Sequence, residues 1–298
     1  MIKHELGKWS LDELAKNPNR KTIDRTLTKI ESDAKRFEKI KKSLNPKISS
    51  GKFLKLIRDI EDITEKSSVI GGYASLRYSE NTQSDEATAL LTRIRKFGSH
   101  IENRLLFFDL WWKRQVDENN AKRLMKSAGQ FSEYLRFKRL LAKYSLSEPE
   151  EKIINTLDVT GASALVKLYD KITNAYVYVV TVDGKKKMMS REQLTTLVRN
   201  KKAKTREAAY KSLFSKFSEN SGVTGEIYQN IVLNWRDEGI GMRGFSSPIT
   251  IRNISNDIDD ETTNTLLDVC KKNSKIKLDL NKYFIDYKEP IKIKLFLN

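Results

Sequence analysis

A single cysteine, Cys270, rules out any disulfide within the chain. At 298 residues the chain is long enough to bury a substantial core without a crosslink or a metal. Long apolar runs are also missing. The most hydrophobic stretch, Leu105 to Trp112, is broken by Asp109 and followed by Lys113 and Arg114, and nowhere do eighteen apolar residues occur in a row. A membrane span is therefore not expected. With no apolar signal region near Met1, the chain reads as reduced and cytoplasmic.

Histidine is nearly as scarce, at His4 and His100. Zinc-assisted amide hydrolysis needs three protein ligands, a position open to water and a carboxylate to take the water's proton. A helix supplies much of this with two histidines four residues apart and a glutamate after the first. His4-Glu5 begins that pattern, but Lys8 stands where the second histidine is required. His100 is two residues from Glu102, a spacing that turns the side chains apart on a helix, so it reads as a solvent-facing imidazole. No catalytic, metal-binding or substrate-binding residue is nominated, and no cofactor is expected in this chain.

What the chain has in excess is positive charge. Its formal net charge is +17 and its pI about 9.6, which favours polyanions at low salt. Yet lysine and arginine are interspersed with Asp and Glu, and the only runs are short, at Lys41-Lys42, Lys185 to Lys187 and Lys201-Lys202. Without a basic arm or an aromatic-basic module, the pattern reads as a solvated, lysine-rich surface. Nucleic acid is not the expected partner, although a basic all-helical binding or scaffold protein remains the alternative class.

Hydrophobic periodicity predicts helices almost throughout. Ser10 and Glu13 form a capping-box pattern that places a first helix start there. Ile23, Leu27, Ile30, Phe37 and Ile40 form one amphipathic stripe, and Phe53, Leu54, Ile57, Ile60 and Ile63 another. Ser84-Asp85-Glu86 opens what should be the longest helix, with Ala87, Leu91, Ile94, Phe97, Ile101, Leu105, Phe108 and Trp112 in step, about 40 Å long. Trp111 and Trp112 leave that helix in different directions and read as packing residues, one of them in a second interface. Gly129 breaks the next helical region, and Ser147 with Pro149 starts another. The one sheet signal is Tyr176 to Val182, Asp183-Gly184 and Lys185 to Met189, a hairpin with a two-residue turn. Helical text returns at Ser190, at Thr205, from Ile227 to Trp235 and around Leu266-Leu267.

Several local motifs point to chemistry but lack its context. Gly239-Ile240-Gly241-Met242-Arg243-Gly244 spells G-x-G-x-x-G without the preceding strand and following helix that a dinucleotide site requires. Asp257, Asp259, Asp260 and Glu261 lack calcium-loop spacing and suit helix capping. Cys270, on an apolar helix stripe with no histidine nearby, reads as a buried, inert thiol. Asn253-Ile254-Ser255 matches a glycosylation acceptor, which has no meaning without secretion.

Three separated phrases share one resemblance. They are Gly71-Gly72-Tyr73 through Thr82 with the helix ending Ile101 to Trp112; Leu146-Ser147-Glu148-Pro149-Glu150-Glu151 with Thr160-Gly161; and Arg243-Gly244-Phe245-Ser246-Ser247-Pro248 running on to Glu261. Together, from Trp9 to about Asn273, the chain resembles the N-terminal half of the oligoendopeptidase F family, zinc metallopeptidases of the thimet-oligopeptidase type. The resemblance implies a mainly α fold: a long antiparallel helix bundle with one small β-hairpin, plus the incomplete start of an α-helical peptidase lobe. It implies a helical lid over residues 1–200 and the opening of the catalytic domain over 201–298. It also implies hydrolysis of oligopeptides by zinc-activated water in the intact family. Zinc ligands being absent, this chain is expected to be a truncated, inactive form or the N-terminal subunit of a split peptidase. Beyond Asn273 the resemblance fades, and Ile291, Ile293 and Leu295 alternate with lysines after Pro290, strand-like text that suggests a frameshift or premature stop. The helices 227–235 and 262–269 would then expose apolar faces and promote self-association.

Overall fold

Asn19 opens the first helix of the computed structural model, which describes residues 10–15 and 18–274. Its side chain accepts the Thr22 N–H at 2.9 Å, satisfying one of the free amides of the first turn of α1 (Arg20–Glu38). A short 3-10 turn, Lys39–Ser43, follows. Ser49 caps α2 (Ser50–Glu80) and Ser84 caps α3 (Asp85–Leu110), whose Asp85 and Glu86 suit the positive end of the helix dipole. With only four residues between them, α2 and α3 run antiparallel and pack on each other and on α1.

The core of this bundle is the apolar stripe read from the sequence. Ile30, Phe53, Ile63, Phe107, Phe108, Trp111 and Trp112 are all buried within it. Phe53 lies at its centre, its ring 5.2 Å from Trp112 and 6.3 Å from Phe108. At Trp111–Gln115 the helix widens into a π turn, and Val116 N–H reaches the Trp111 carbonyl at 3.2 Å. Both tryptophans are buried. Trp112 also donates its indole N–H to the Leu135 carbonyl at 2.9 Å, which is the second interface expected for the pair.

That carbonyl belongs to α5 (Ser132–Leu140), which follows α4 (Glu118–Ser127) after a break at Gly129. Arg139 of α5 donates to the carbonyls of Trp112 and Val116 at 2.9 and 2.8 Å, satisfying acceptors left open where α3 ends. Next come α6 (Glu148–Asp158), with the Ser147–Glu150 capping box, and α7 (Ala162–Asn174). Side-chain bonds to backbone tie both back to the bundle, from Ser99 to Asn155 at 2.7 Å and from Tyr78 to Lys167 at 3.1 Å.

The hairpin pairs β1 (Tyr178–Val182) with β2 (Lys185–Met189) antiparallel, with Val182 opposite Lys185. Positive φ at both Asp183 (50°) and Gly184 (77°) makes the two-residue turn that the sequence signalled. Alternation places Tyr178 and Val180 on one face of β1. They form a second, smaller core with Tyr176, Leu194 of α8 (Arg191–Thr196) and Ala209 of α9 (Ala203–Glu219). Helix α10 (Ser221–Arg236) packs on α7 and α9.

The chain divides into two compact units, one reaching Glu238 and one starting at Gly239. In the second, Ser247 caps α11 (Pro248–Ser255), Asp259 caps α12 (Asp260–Lys272), and the two helices pack together. The described residues are thus mainly α with one small hairpin, as the sequence implied. Among the described residues no helix is long and apolar enough to cross a membrane.

Four expectations need correction. Ser10 begins a turn over residues 11–15, with Leu14 and Ala15 N–H on the Leu11 carbonyl, and not a helix within the described residues. The longest helix is α2, with 31 residues against 26 for α3. Helix α9 begins two residues before Thr205, which is buried within it. Cys270 is exposed, as are Leu266, Leu267 and Val269, because α12 buries none of its side chains. Trp9, His4, Pro290 and the alternating 291–295 segment lie outside the described residues.

Candidate functional site

A cleft of about 720 Å³ is formed by α2, α3 and α5 with Trp112 of the π turn, Phe131 of the turn before α5 and Asn155 of α6. Its geometry follows from helical spacing. Ile57, Ile60, Glu61, Thr64, Glu65 and Ser68 make one stripe along α2, and Glu102, Leu105, Leu106 and Asp109 make the facing stripe on α3. The buried part of the lining is apolar, so the floor consists of Ile57, Phe108, Trp112 and Leu135, with Leu105 half-buried beside them. The charged part of the lining is more open to solvent, so the rim carries the exposed Glu61, Glu65 and Glu102 and the half-buried Asp109 and Lys138.

These charges are not equivalent. Asp109 holds Lys113 at 2.5 Å and Lys138 at 3.1 Å, and the Lys138 ammonium also lies 5.5 Å from the centre of the Tyr134 ring. Burial opposes the charge on Lys138, but Asp109 and Tyr134 outweigh it and hold its pKa above the ordinary lysine value. Glu61, Glu65 and Glu102 have no ion-pair partner among the described residues. Glu102 reaches solvent at the mouth of the cleft, yet the surrounding protein and then the charge of Asp158 push its pKa up, with Lys138 offsetting only part of this.

A second groove of about 670 Å³ lies between α7, α9 and α10, lined by Val166, Tyr169, Phe214, Phe217, Tyr228 and Ile231 among others. It carries no charged side chain. Phe214 and Tyr228 are more than half exposed there, at 54% and 69%.

The residues weighed from sequence fall elsewhere. His100 is largely solvent-facing and two residues from Glu102, but it is not isolated. Its Nε2 lies 3.4 Å from a Glu31 carboxylate oxygen of α1 and 3.1 Å from Arg104 Nε, and the tautomer decides which of the two it bonds. Burial would raise the Glu31 pKa, but hydrogen bonds from Lys35 and His100 and the charge of Arg104 hold it below the usual range. A site crowded by an arginine and a lysine repels a divalent cation, and His4 has no second histidine at the required spacing, so these residues do not fit zinc. Among the described residues no group of three His, Cys, Asp or Glu side chains is placed to hold a metal ion.

The misleading motifs have structural explanations. Asp237–Met242 is a π turn, not a strand-to-helix loop, and a side chain at Gly239 would collide with Ile251. Asp259 caps α12 through Thr262 N–H at 2.6 Å, and Asp260 accepts from Thr250 and Asn253 of α11 at 3.0 and 2.8 Å.

Comparison with known proteins agrees with this architecture. A family model described as Oligopeptidase F matches residues 114–177, which run from the π turn through α4, α5, α6 and α7. No curated protein sequence matches the chain. Among solved structures, oligoendopeptidase-F from Enterococcus faecium superposes with a TM-score of 0.71 at 18% identity, covering 85% of this chain and 49% of that one. A candidate peptidase from Chlamydophila abortus gives a TM-score of 0.56 at 15% identity, covering 93% of this chain and 46% of its own. The chain therefore spans about half the length of these proteins. Family model and fold agree that, over the N-terminal portion of those proteins, the chain resembles the oligoendopeptidase F family.

Proposed function

We propose that this chain forms the helical, peptide-enclosing portion of a zinc metallo-oligopeptidase of the oligoendopeptidase F type, acting on short peptides. The observation that carries this reading is the match in fold over 85% of the chain, together with the family match at residues 114–177. In such enzymes zinc activates the attacking water and polarises the peptide carbonyl. The residues present here do not fit the metal, so in this reading the ligands come from residues other than these 298, and the chain alone does not hydrolyse peptides. The division between lid and catalytic lobe near residue 200 belongs to the same proposal, as does a cytoplasmic location.

The test is direct. The purified chain, supplied with zinc and a quenched fluorescent peptide, should retain far less than one zinc per chain after desalting and show no turnover. Mixed with a separately made family catalytic lobe that carries the zinc helix, it should restore cleavage. Stoichiometric zinc with unaided turnover would overturn the reading, as would a catalytic lobe whose activity does not respond to this chain.

A further inference from the structure

The geometry points to the cleft between α2, α3 and α5 as a binding site for a short cationic amphipathic peptide segment, its apolar side chains on the floor and its ammonium or guanidinium groups on Glu61, Glu65 and Glu102. Three observations on the site support this. Its size, about 720 Å³, lies within the roughly 300–1,000 Å³ of pockets that enclose ligands, and its floor of Ile57, Phe108, Trp112 and Leu135, with Leu105 beside them, offers apolar and aromatic surface. Its rim is acidic in a chain of net charge +17, so the local field runs against the global one. Finally, the only positive group in the lining, Lys138, is ion-paired to Asp109 and acts on Glu102 only through its charge, which leaves all three glutamates without an ion pair to meet an incoming cation.

The arrangement costs the free protein something. Glu61 and Glu65 are like charges four residues apart on one helix face, a mildly repulsive pair, and Glu102 faces them from α3 in surroundings that disfavour its ionised form. A basic side chain between α2 and α3 relieves all three at once. The site is built from α2, α3, α5, the turns that carry Trp112 and Phe131, and Asn155 of α6, so it does not depend on the peptidase reading.

The test uses the full chain and a fluorescein-labelled peptide of alternating leucine and lysine, read by fluorescence anisotropy, beside the same peptide with glutamate for lysine and one with serine for leucine. The leucine–lysine peptide should bind, weaken as salt rises, and exceed both controls. Replacing the three exposed carboxylates together, Glu61→Gln, Glu65→Gln and Glu102→Gln, should weaken it about tenfold or more. The same charge change outside the cleft, Glu86→Gln, Glu207→Gln and Glu226→Gln, should leave it within about twofold. Equal affinity for wild type and cleft variant overturns the proposal, as does equal binding of the serine–lysine peptide, which would mark simple attraction to surface acid. Loss of zinc-dependent cleavage in the preceding experiment leaves this result untouched.

Discussion

The helical bundle and the hairpin region are stabilised by different means, although both lie in the first compact unit. In the bundle, α1, α2 and α3 bury a continuous core in which aromatic rings touch from Phe37 through Phe107 and Phe108 to Phe53 and the paired tryptophans. The hairpin region closes over five buried side chains, and its strand β2 presents Lys185, Lys186 and Lys187 to solvent. Burial scales stability, so the bundle should unfold with the whole unit and the hairpin region should open before it.

The largest expected effect comes from breaking the bundle. Phe53 is fully buried, and Phe53→Ala should cost about 3–5 kcal/mol through lost transfer energy and the cavity left among rings that cannot all collapse inward. Denaturant unfolding measures it, and hydrogen exchange should speed up across α1, α2 and α3 together. Leu194→Ala, also in a fully buried site, should instead speed exchange in β1, β2, α8 and α9 while the bundle amides stay protected. Uniform loss of protection in both variants would mean the two cores form one cooperative element and would erase the distinction.

Electrostatics sharpen the same contrast at a smaller scale. Asp33 is buried between α1 and α2, bonded to Lys66 at 3.1 Å and Arg36 at 2.7 Å. Burial alone would raise its pKa, but the two cations outweigh it and hold the carboxyl below its ordinary value. With a folded pKa below the unfolded one of about 3.9, its contribution is complete above that value and lost as pH falls through the folded pKa. Asp33→Asn should cost about 1–3 kcal/mol at neutral pH, and the gap from wild type should close in acid. A gap constant from pH 7 to pH 3 would contradict that account. The hairpin's own ion pair, Lys202 with Asp183 at 2.6 Å, has both side chains about two-thirds exposed and should contribute little.

How far the sequence could be read follows the same division between local and non-local causes. Helices α1 and α3, the Gly129 break, the Ser147 and Ser190 caps and the Asp-Gly hairpin were legible because each depends on residues within a few positions of one another. Cys270 was misplaced because an apolar stripe specifies which face would be buried, not whether anything covers it. The cleft was invisible for a related reason. Glu61 and Glu65 look like an ordinary solvated helix face, and only the approach of α3 and α5 turns that face into the wall of a cavity. His100 was read correctly as solvent-facing, but its contact with Glu31 is made across two helices and leaves no trace in local spacing.

The smallest expected effect tests whether the hairpin is specified by its turn or by its packing. Gly184 has φ of 77°, a region that costs a residue with a Cβ about 1–2 kcal/mol, and no atom lies close enough to clash with an added methyl. Gly184→Ala should therefore destabilise only through backbone strain, by about 1 kcal/mol. That strain falls on Val182 and Lys185, the pair flanking the turn, and not on Tyr178 and Val180, which Leu194 and Ala209 hold from the other side. Exchange should rise near the turn and stay slow at Tyr178 and Val180. If those residues open as well, turn geometry sets the register and the small core merely follows it; if nothing opens, packing alone suffices and the Asp-Gly signal is redundant here.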